Sequence, residues 1–286
     1  MATIASAVIL GVGVLLAGSV PWGGLPGIAG LAGLNLQHWP AVPWAIVPMA
    51  LYLWIYWRFI GGAIGPRESA EWRRENLRAN PVAGDMWGLS VLAGLLGFGA
   101  LLALLAVMQR LVTLPQSPPA PTSAGMPFIT LFLLLVMASI VAGVTEEAAF
   151  RGYMQTPIER RYGVILAILV NGTMFGLLHF PNHPTAVVTM LPYYIGVAAV
   201  YGGLTWATES ILPALVLHAG GDVFSLTRLW TTGRPEWQLT GELPPLLWER
   251  GLDFAFVGSL AALVLLGGAT VWAYRALRAQ TRSAAA

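Results

Sequence analysis

The chain has 286 residues, of which 57% are hydrophobic and only 10% charged. Soluble domains carry about 25% charged residues, so a soluble globular protein is excluded and an integral membrane protein is expected. The net charge is +2, every basic residue is an arginine and cysteine is absent. That composition offers no basic stripe for nucleic acid, and it rules out disulfides, thiolate metal sites and cysteine nucleophiles.

Crossing the hydrocarbon core takes about 20 apolar residues. Eight segments qualify in chain order: 3–20, 41–61, 88–109, 127–148, 163–180, 186–206, 210–227 and 254–274. The expected fold class is all-α, a polytopic transmembrane helix bundle of about eight spans with an intramembrane polar site. The first span has no basic residue before it, since Arg58 is the first arginine, so it is expected to be a retained helix rather than a signal peptide. Arginine placement then sets the orientation. Arg58, Arg67, Arg73, Arg74, Arg78, Arg151, Arg160, Arg161, Arg275, Arg278 and Arg282 share one side if both termini are cytoplasmic. Arg110, Arg228, Arg234 and Arg250 fall on the other. The expected location is a bacterial-type plasma membrane, multi-pass, with cytoplasmic N- and C-termini.

The Pro-rich stretch 117–125 is expected to be a loop. It divides an N-terminal transmembrane scaffold of three spans, 1–125, from a four-span core, 126–227. Residues 228–286 supply an external loop, the last span and a basic tail. The loop, 228–251, carries three Trp residues suited to a bilayer interface. No internal repeat is visible.

The core holds three polar clusters inside apolar helices: Glu146-Glu147-x-x-x-Arg151, Phe175-x-x-x-His179 and His218-x-x-x-Asp222. Ionisable groups within membrane helices are costly and are functional candidates by default. Glu147 and Arg151 are four apart with the acid N-terminal, the favourable order for a helical ion pair. Glu146 lies about 100° around the helix and is free to face something else. A turn at Tyr162-Gly163 puts Glu146 and His179 at the same level, each roughly 25 Å from the turn at ~1.5 Å per residue; Pro157 is a candidate kink. Asp222 can accept from one nitrogen of His218 and leave the other for water, substrate or metal. Gly220 and Gly221 permit close approach of a helix or a peptide.

Glu146, His179, His218 and Asp222 can therefore converge on one water. Two hydrolytic routes stay open. In one, Glu146 is a general base assisted by histidine. In the other, these four residues bind zinc, which lowers the pKa of its water. Phe175 is expected to pack, His183 to be an exposed loop residue, Tyr193 and Tyr194 to pack between helices or else to line the site cavity, and Pro192 and Pro213 to mark kinks.

The three motifs, in this order on membrane helices, resemble the CPBP family of intramembrane proteases, which includes the CAAX prenyl endopeptidase of the Ras-converting type and bacterial Abi-type proteins. The resemblance covers about 127–227. It implies an endopeptidase acting on a membrane-associated protein or peptide, prenylated CAAX proteins among them, with the lipid bilayer as its other partner and no nucleic acid. It implies Glu146 as the water-activating base, His179 as its partner, and His218 with Asp222 as oxyanion holders or metal ligands, supported by Glu147, Arg151 and Phe175. Family members are described both as zinc metalloproteases and as glutamate-dependent enzymes. The prenyl endopeptidase has Asn where this chain has Asp222, and an ionised Asp cannot donate to an oxyanion. A transporter or proton relay, and a non-catalytic scaffold or immunity protein, are the rival functions.

Overall fold

A computed structural model describes residues 3–22, 30–115, 126–180, 184–239 and 242–285. The expected loop 117–125 and His183 lie outside the described residues. The described residues form α1 (Ile4–Ser19), α2 (Leu31–Gln37), α3 (Ile46–Ile60), α4 (Ala70–Leu77), α5 (Gly84–Leu111), α6 (Phe128–Glu146), a π-helical segment (Glu147–Met154), α7 (Gln155–Tyr162), α8 (Val164–His179), α9 (Pro184–Thr208), α10 (Leu212–Thr232), α11 (Leu247–Arg250) and α12 (Phe254–Ala285). The fold is all-α, as the apolar segments predict.

Among the described residues, five helical stretches are long and apolar enough to cross a membrane: Ile4–Trp22, Gly84–Leu111, Phe128–Tyr162, Thr185–Thr208 and Phe254–Ser283. The expected count of about eight is not reached by this measure. The helices α3 and α8 are apolar but have only 15 and 16 residues. The helix α10 carries His218, Asp222 and Arg228 along its length, which dilutes its apolar character.

Several close crossings set the packing. Helix α1 runs antiparallel to the helix 128–162, with Gly11 against Met154 and Gly18 against Thr145. Tyr56 of α3 donates to the Val14 carbonyl of α1 at 3.1 Å. Tyr274 of α12 donates to the Val200 carbonyl of α9 at 2.8 Å. At Gly172 on α8, an added Cβ would stand 2.6 Å from the Ile195 Cα of α9, so only glycine allows this approach.

Pro157 does not break the long helix. The turn before it is π-helical, with i→i+5 bonding, and α7 then continues through the proline to Tyr162. A proline ring clashes with the carbonyl four residues back and cannot donate to it; a widened turn ahead of it relieves that clash. The helix ends at Gly163, whose φ of +87° allows the reversal into α8. Pro213 falls in the first turn of α10, where its missing N–H costs nothing, so it starts the helix and does not kink it. Pro192 lies inside the unbroken α9.

One end of the bundle is closed by charge. Arg78, at the C-cap of α4, donates from Nε to Glu209 at 3.0 Å, from Nη1 to Glu159 at 3.1 Å, and from Nη2 to both. Arg278 of α12 also bonds Glu209, and Arg160 pairs with Glu75 at 3.5 Å. This network ties α4, α7, the α9–α10 turn and α12 together around a cavity of about 470 Å³.

Candidate active site

The π segment and α10 supply the centre of the site. Glu147 is fully buried, and its Oε1 bonds His218 Nδ1 at 2.7 Å. The same oxygen lies 3.3 Å from Arg151 Nη1. The helices meet closely here because Gly143, one turn before Glu147, faces Ala219: an added Cβ would stand 3.0 Å from the Ala219 Cβ and backbone nitrogen. The Glu147–Arg151 pairing expected from spacing is present, and Glu147 also carries a second task. It is the carboxylate hydrogen-bonded to His218, where Asp222 was expected to accept from one of the two ring nitrogens. Asp222 lies instead on the Nε2 side, 3.6 Å away, with Glu146 Oε2 at 3.7 Å. The difference arises because Asp222, four residues along the same helix, reaches only the outer nitrogen, whereas Glu147 approaches from the facing helix. Nothing lies within 4 Å of a Cβ added at Gly220, so the close helix contact is not made there. Ala219 and Gly143 make that contact in its place.

Arg151 is held in an unusual manner. It is fully buried, with its guanidinium 5.1 Å from the Tyr201 ring, 5.3 Å from Phe175 and 5.7 Å from Phe150. Three aromatic faces attract the cation through their quadrupoles. None of its guanidinium nitrogens makes a hydrogen bond among the described residues; the 3.3 Å ion pair is its charge partner. Tyr201 in turn stacks on His218, with ring centroids 4.8 Å apart and planes at 12°.

His179 is placed one shell further out. Its Nδ1 lies 2.8 Å from the Phe175 carbonyl, its ring is 4.3 Å from Phe175 and 5.0 Å from Tyr194, and it is exposed at the end of α8. Phe175 contacts Phe150, Tyr194, His179 and His218, so it is the packing hub of the site. The structure thus gathers Glu146, Glu147, His218 and Asp222 tightly, and joins His179 to them through rings; no ion pair links His179 to the other four among the described residues.

Two functional candidates are not visible in the motifs. Tyr201 is seven residues from Tyr194 on α9, two turns along one face, and that spacing was the available signal. Glu236 belongs to the loop after α10. It accepts a hydrogen bond from Tyr193 and lies within electrostatic reach of His179 and Asp222. Burial pushes its carboxyl above the usual range, against the opposing pull of His179. The loop is pinned beside the site: Trp237 donates to the Pro115 carbonyl at 2.9 Å, accepts from Gln109 through its own carbonyl at 2.9 Å, and packs on Phe180. Arg228 binds the Pro235, Gln238 and Leu239 carbonyls. The only hint in the sequence is an acid flanked by Pro235 and Trp237 in an otherwise polar loop.

His218 Nδ1 is taken by Glu147 and His179 Nδ1 by a backbone carbonyl, which leaves Nε2 of each ring for water, substrate or metal. Among the described residues no three His, Asp or Glu side chains are grouped to hold a metal ion.

Neither the curated proteins nor the solved structures contain a match to the chain. Residues 128–224 match the family model described as type II CAAX prenyl endopeptidase Rce1-like. That stretch runs from the start of α6 through Asp222 and includes all three motifs. The segment that builds the site is therefore similar to the Rce1-like endopeptidases, which supports the resemblance to the CPBP family.

Proposed function

We propose that this integral membrane protein is an endopeptidase that cleaves a peptide bond of a membrane-associated protein by water activation at Glu146, without a metal. The carrying observation is the Glu147–His218 bond of 2.7 Å, which orients an imidazole so that its free nitrogen faces Glu146 and Asp222. A fixed tautomer beside a carboxylate is what general acid–base hydrolysis requires.

Glu146 Oε2 has no hydrogen-bond partner among the described residues, and its side chain is 21% exposed. It takes the proton of the attacking water as the water oxygen bonds to the carbonyl carbon. The carbonyl pair moves onto oxygen. On collapse the C–N bond breaks and the proton passes to the leaving amine, with His218 Nε2 relaying it. Asp222, an acceptor, holds the substrate by a backbone N–H. Arg151 holds Glu147 in place through their ion pair, and His179 lines the exposed rim. Prenylated CAAX-type proteins are the substrate class that the matched family suggests. The cytoplasmic placement of both termini is part of this proposal; Arg278, near the end of α12, joins the ion network.

The test is cleavage of a quenched peptide library and of prenylated peptides by purified protein in detergent. Glu146→Gln should lower kcat by roughly 10²–10⁴-fold, the usual contribution of a general base, while the folded helix content is kept. Parental activity should persist in protein verified free of metal after chelation. Full activity in Glu146→Gln would end the proposal; loss on chelation that zinc restores would replace its metal-free step.

A further inference from the structure

Four tyrosine hydroxyls in the interior have an identified partner. Tyr56 donates to Val14, Tyr153 to Ile60, Tyr274 to Val200, and Tyr193 to Glu236. Tyr194 differs. It is 1% exposed, and its hydroxyl has no hydrogen-bond partner among the described residues. A buried hydroxyl left unpaired is costly and calls for a reason.

Its surroundings supply one. The ring is fixed by Tyr193 at 5.4 Å, Phe175 at 5.5 Å, Phe180 at 6.0 Å and His179 at 5.0 Å. The carboxylates of Glu236 and Glu146 lie within electrostatic reach of its hydroxyl. The site is otherwise rich in acceptors, with Asp222, Glu146 and Glu236 around it. The Arg151 guanidinium is boxed between rings beside Glu147. Peptide hydrolysis creates negative charge on the carbonyl oxygen, and that oxygen needs a donor that is already oriented.

We infer that the Tyr194 hydroxyl is that donor: it hydrogen-bonds the tetrahedral oxyanion formed when Glu146 activates water. This inference rests on the endopeptidase reading. The phenol keeps its proton throughout. The water oxygen bonds to carbon, its proton goes to Glu146, the carbonyl pair becomes the oxyanion held by Tyr194 O–H, and the pair returns as the amine leaves with the proton. The role answers the difficulty posed by Asp222, which as a carboxylate can only accept.

The experiment compares parent, Tyr194→Phe, Tyr274→Phe and Glu146→Gln on one cleaved peptide. Tyr194→Phe removes the hydroxyl and keeps the ring. Its kcat should fall on the order of 100-fold, the range found for a single oxyanion donor, with KM changed less than about twofold. Its thermal midpoint should not fall, because the lost hydroxyl has no partner. Tyr274→Phe, whose hydroxyl serves a helix contact, should keep parental kcat and lose thermal stability. Parental kcat in Tyr194→Phe, or a defect confined to KM, would overturn the tyrosine's role while the protease stands. A parent without cleavage, or an active Glu146→Gln, would remove the endopeptidase reading and this inference with it.

Discussion

Arg78 and Arg151 are both buried and both face glutamates, yet the chain treats them differently. Every guanidinium nitrogen of Arg78 is hydrogen-bonded to Glu159 or Glu209. Arg151 has three aromatic faces and one ion-pair contact. Full hydrogen bonding consumes the carboxylates; the network at the bundle end therefore has nothing left to give a ligand and works as a latch. Ring stabilisation leaves the carboxylate of Glu147 available, and its 2.7 Å bond goes to His218 rather than to Arg151. The comparison separates a charge cluster that holds helices together from one that holds a reactive group. Buried ion pairs alone do not make that distinction.

The largest test of it removes the shared carboxylate. Glu147→Ala strands a buried guanidinium and frees His218 at once. Breaking a buried pair by removing one partner costs about 3–5 kcal/mol, so the thermal midpoint should drop steeply, with cleavage lost in whatever folds. Glu159→Ala at the latch should cost about 2 kcal/mol, the size of a charged hydrogen bond, because Arg78 keeps Glu209. Its folded fraction should cleave at the parental rate. Equal losses of activity in the two variants would erase the distinction between latch and site.

A smaller effect comes from the helix crossing that lets Glu147 reach His218. Gly143→Ala places a Cβ about 3 Å from Ala219 and pushes α6 from α10. Overpacking of this kind costs about 1–3 kcal/mol, and the lengthened Glu147–His218 bond should lower kcat about tenfold. Gly220→Ala, where a Cβ meets nothing within 4 Å, should leave the thermal midpoint unchanged. If both glycines tolerate alanine equally in midpoint and kcat, the close crossing does not position the pair.

What the sequence made legible follows from range. Spacings of four residues along one helix were readable, so the Glu147–Arg151 and His218–Asp222 neighbours and the Gly163 reversal were expected. Glu147 to His218 spans 71 residues and Arg78 to Glu209 spans 131. No periodicity encodes which carboxylate wins when two helices offer one each to the same imidazole. The π segment was also hidden: Pro157 predicts a disturbance, but whether the chain kinks or widens a turn depends on what packs against it, here Gly152 against the Asn76 and Leu77 carbonyls. Glu236 was hidden for a different reason, since a loop residue acquires its role only when Trp237 and Arg228 fold the loop back onto the bundle.

The smallest predicted effect is one of sign. Glu209 and Glu236 both lie on loops, at the latch and at the site. Burial pushes the Glu209 carboxyl up, but Arg78 and Arg278 outweigh it and hold it below the usual range. Its contribution to stability is present above the ordinary Glu pKa, about 4.3, and is lost as pH falls through its folded value. Glu236 is shifted the other way by burial, among His179, Asp222, His218 and Tyr193. Its contribution is present below the ordinary range and is lost as pH rises through its raised value. Raising the pH from about 4 should therefore tighten the segment around Arg78 and loosen the loop around Glu236. Amide hydrogen exchange, corrected for its intrinsic pH dependence, reads both segments in one sample. Glu236→Gln should flatten the loop's dependence, leaving only the part due to its titrating neighbours, and should not alter the latch. Two segments that respond to pH with the same sign would mean that Glu236 does not face the site as a buried carboxyl.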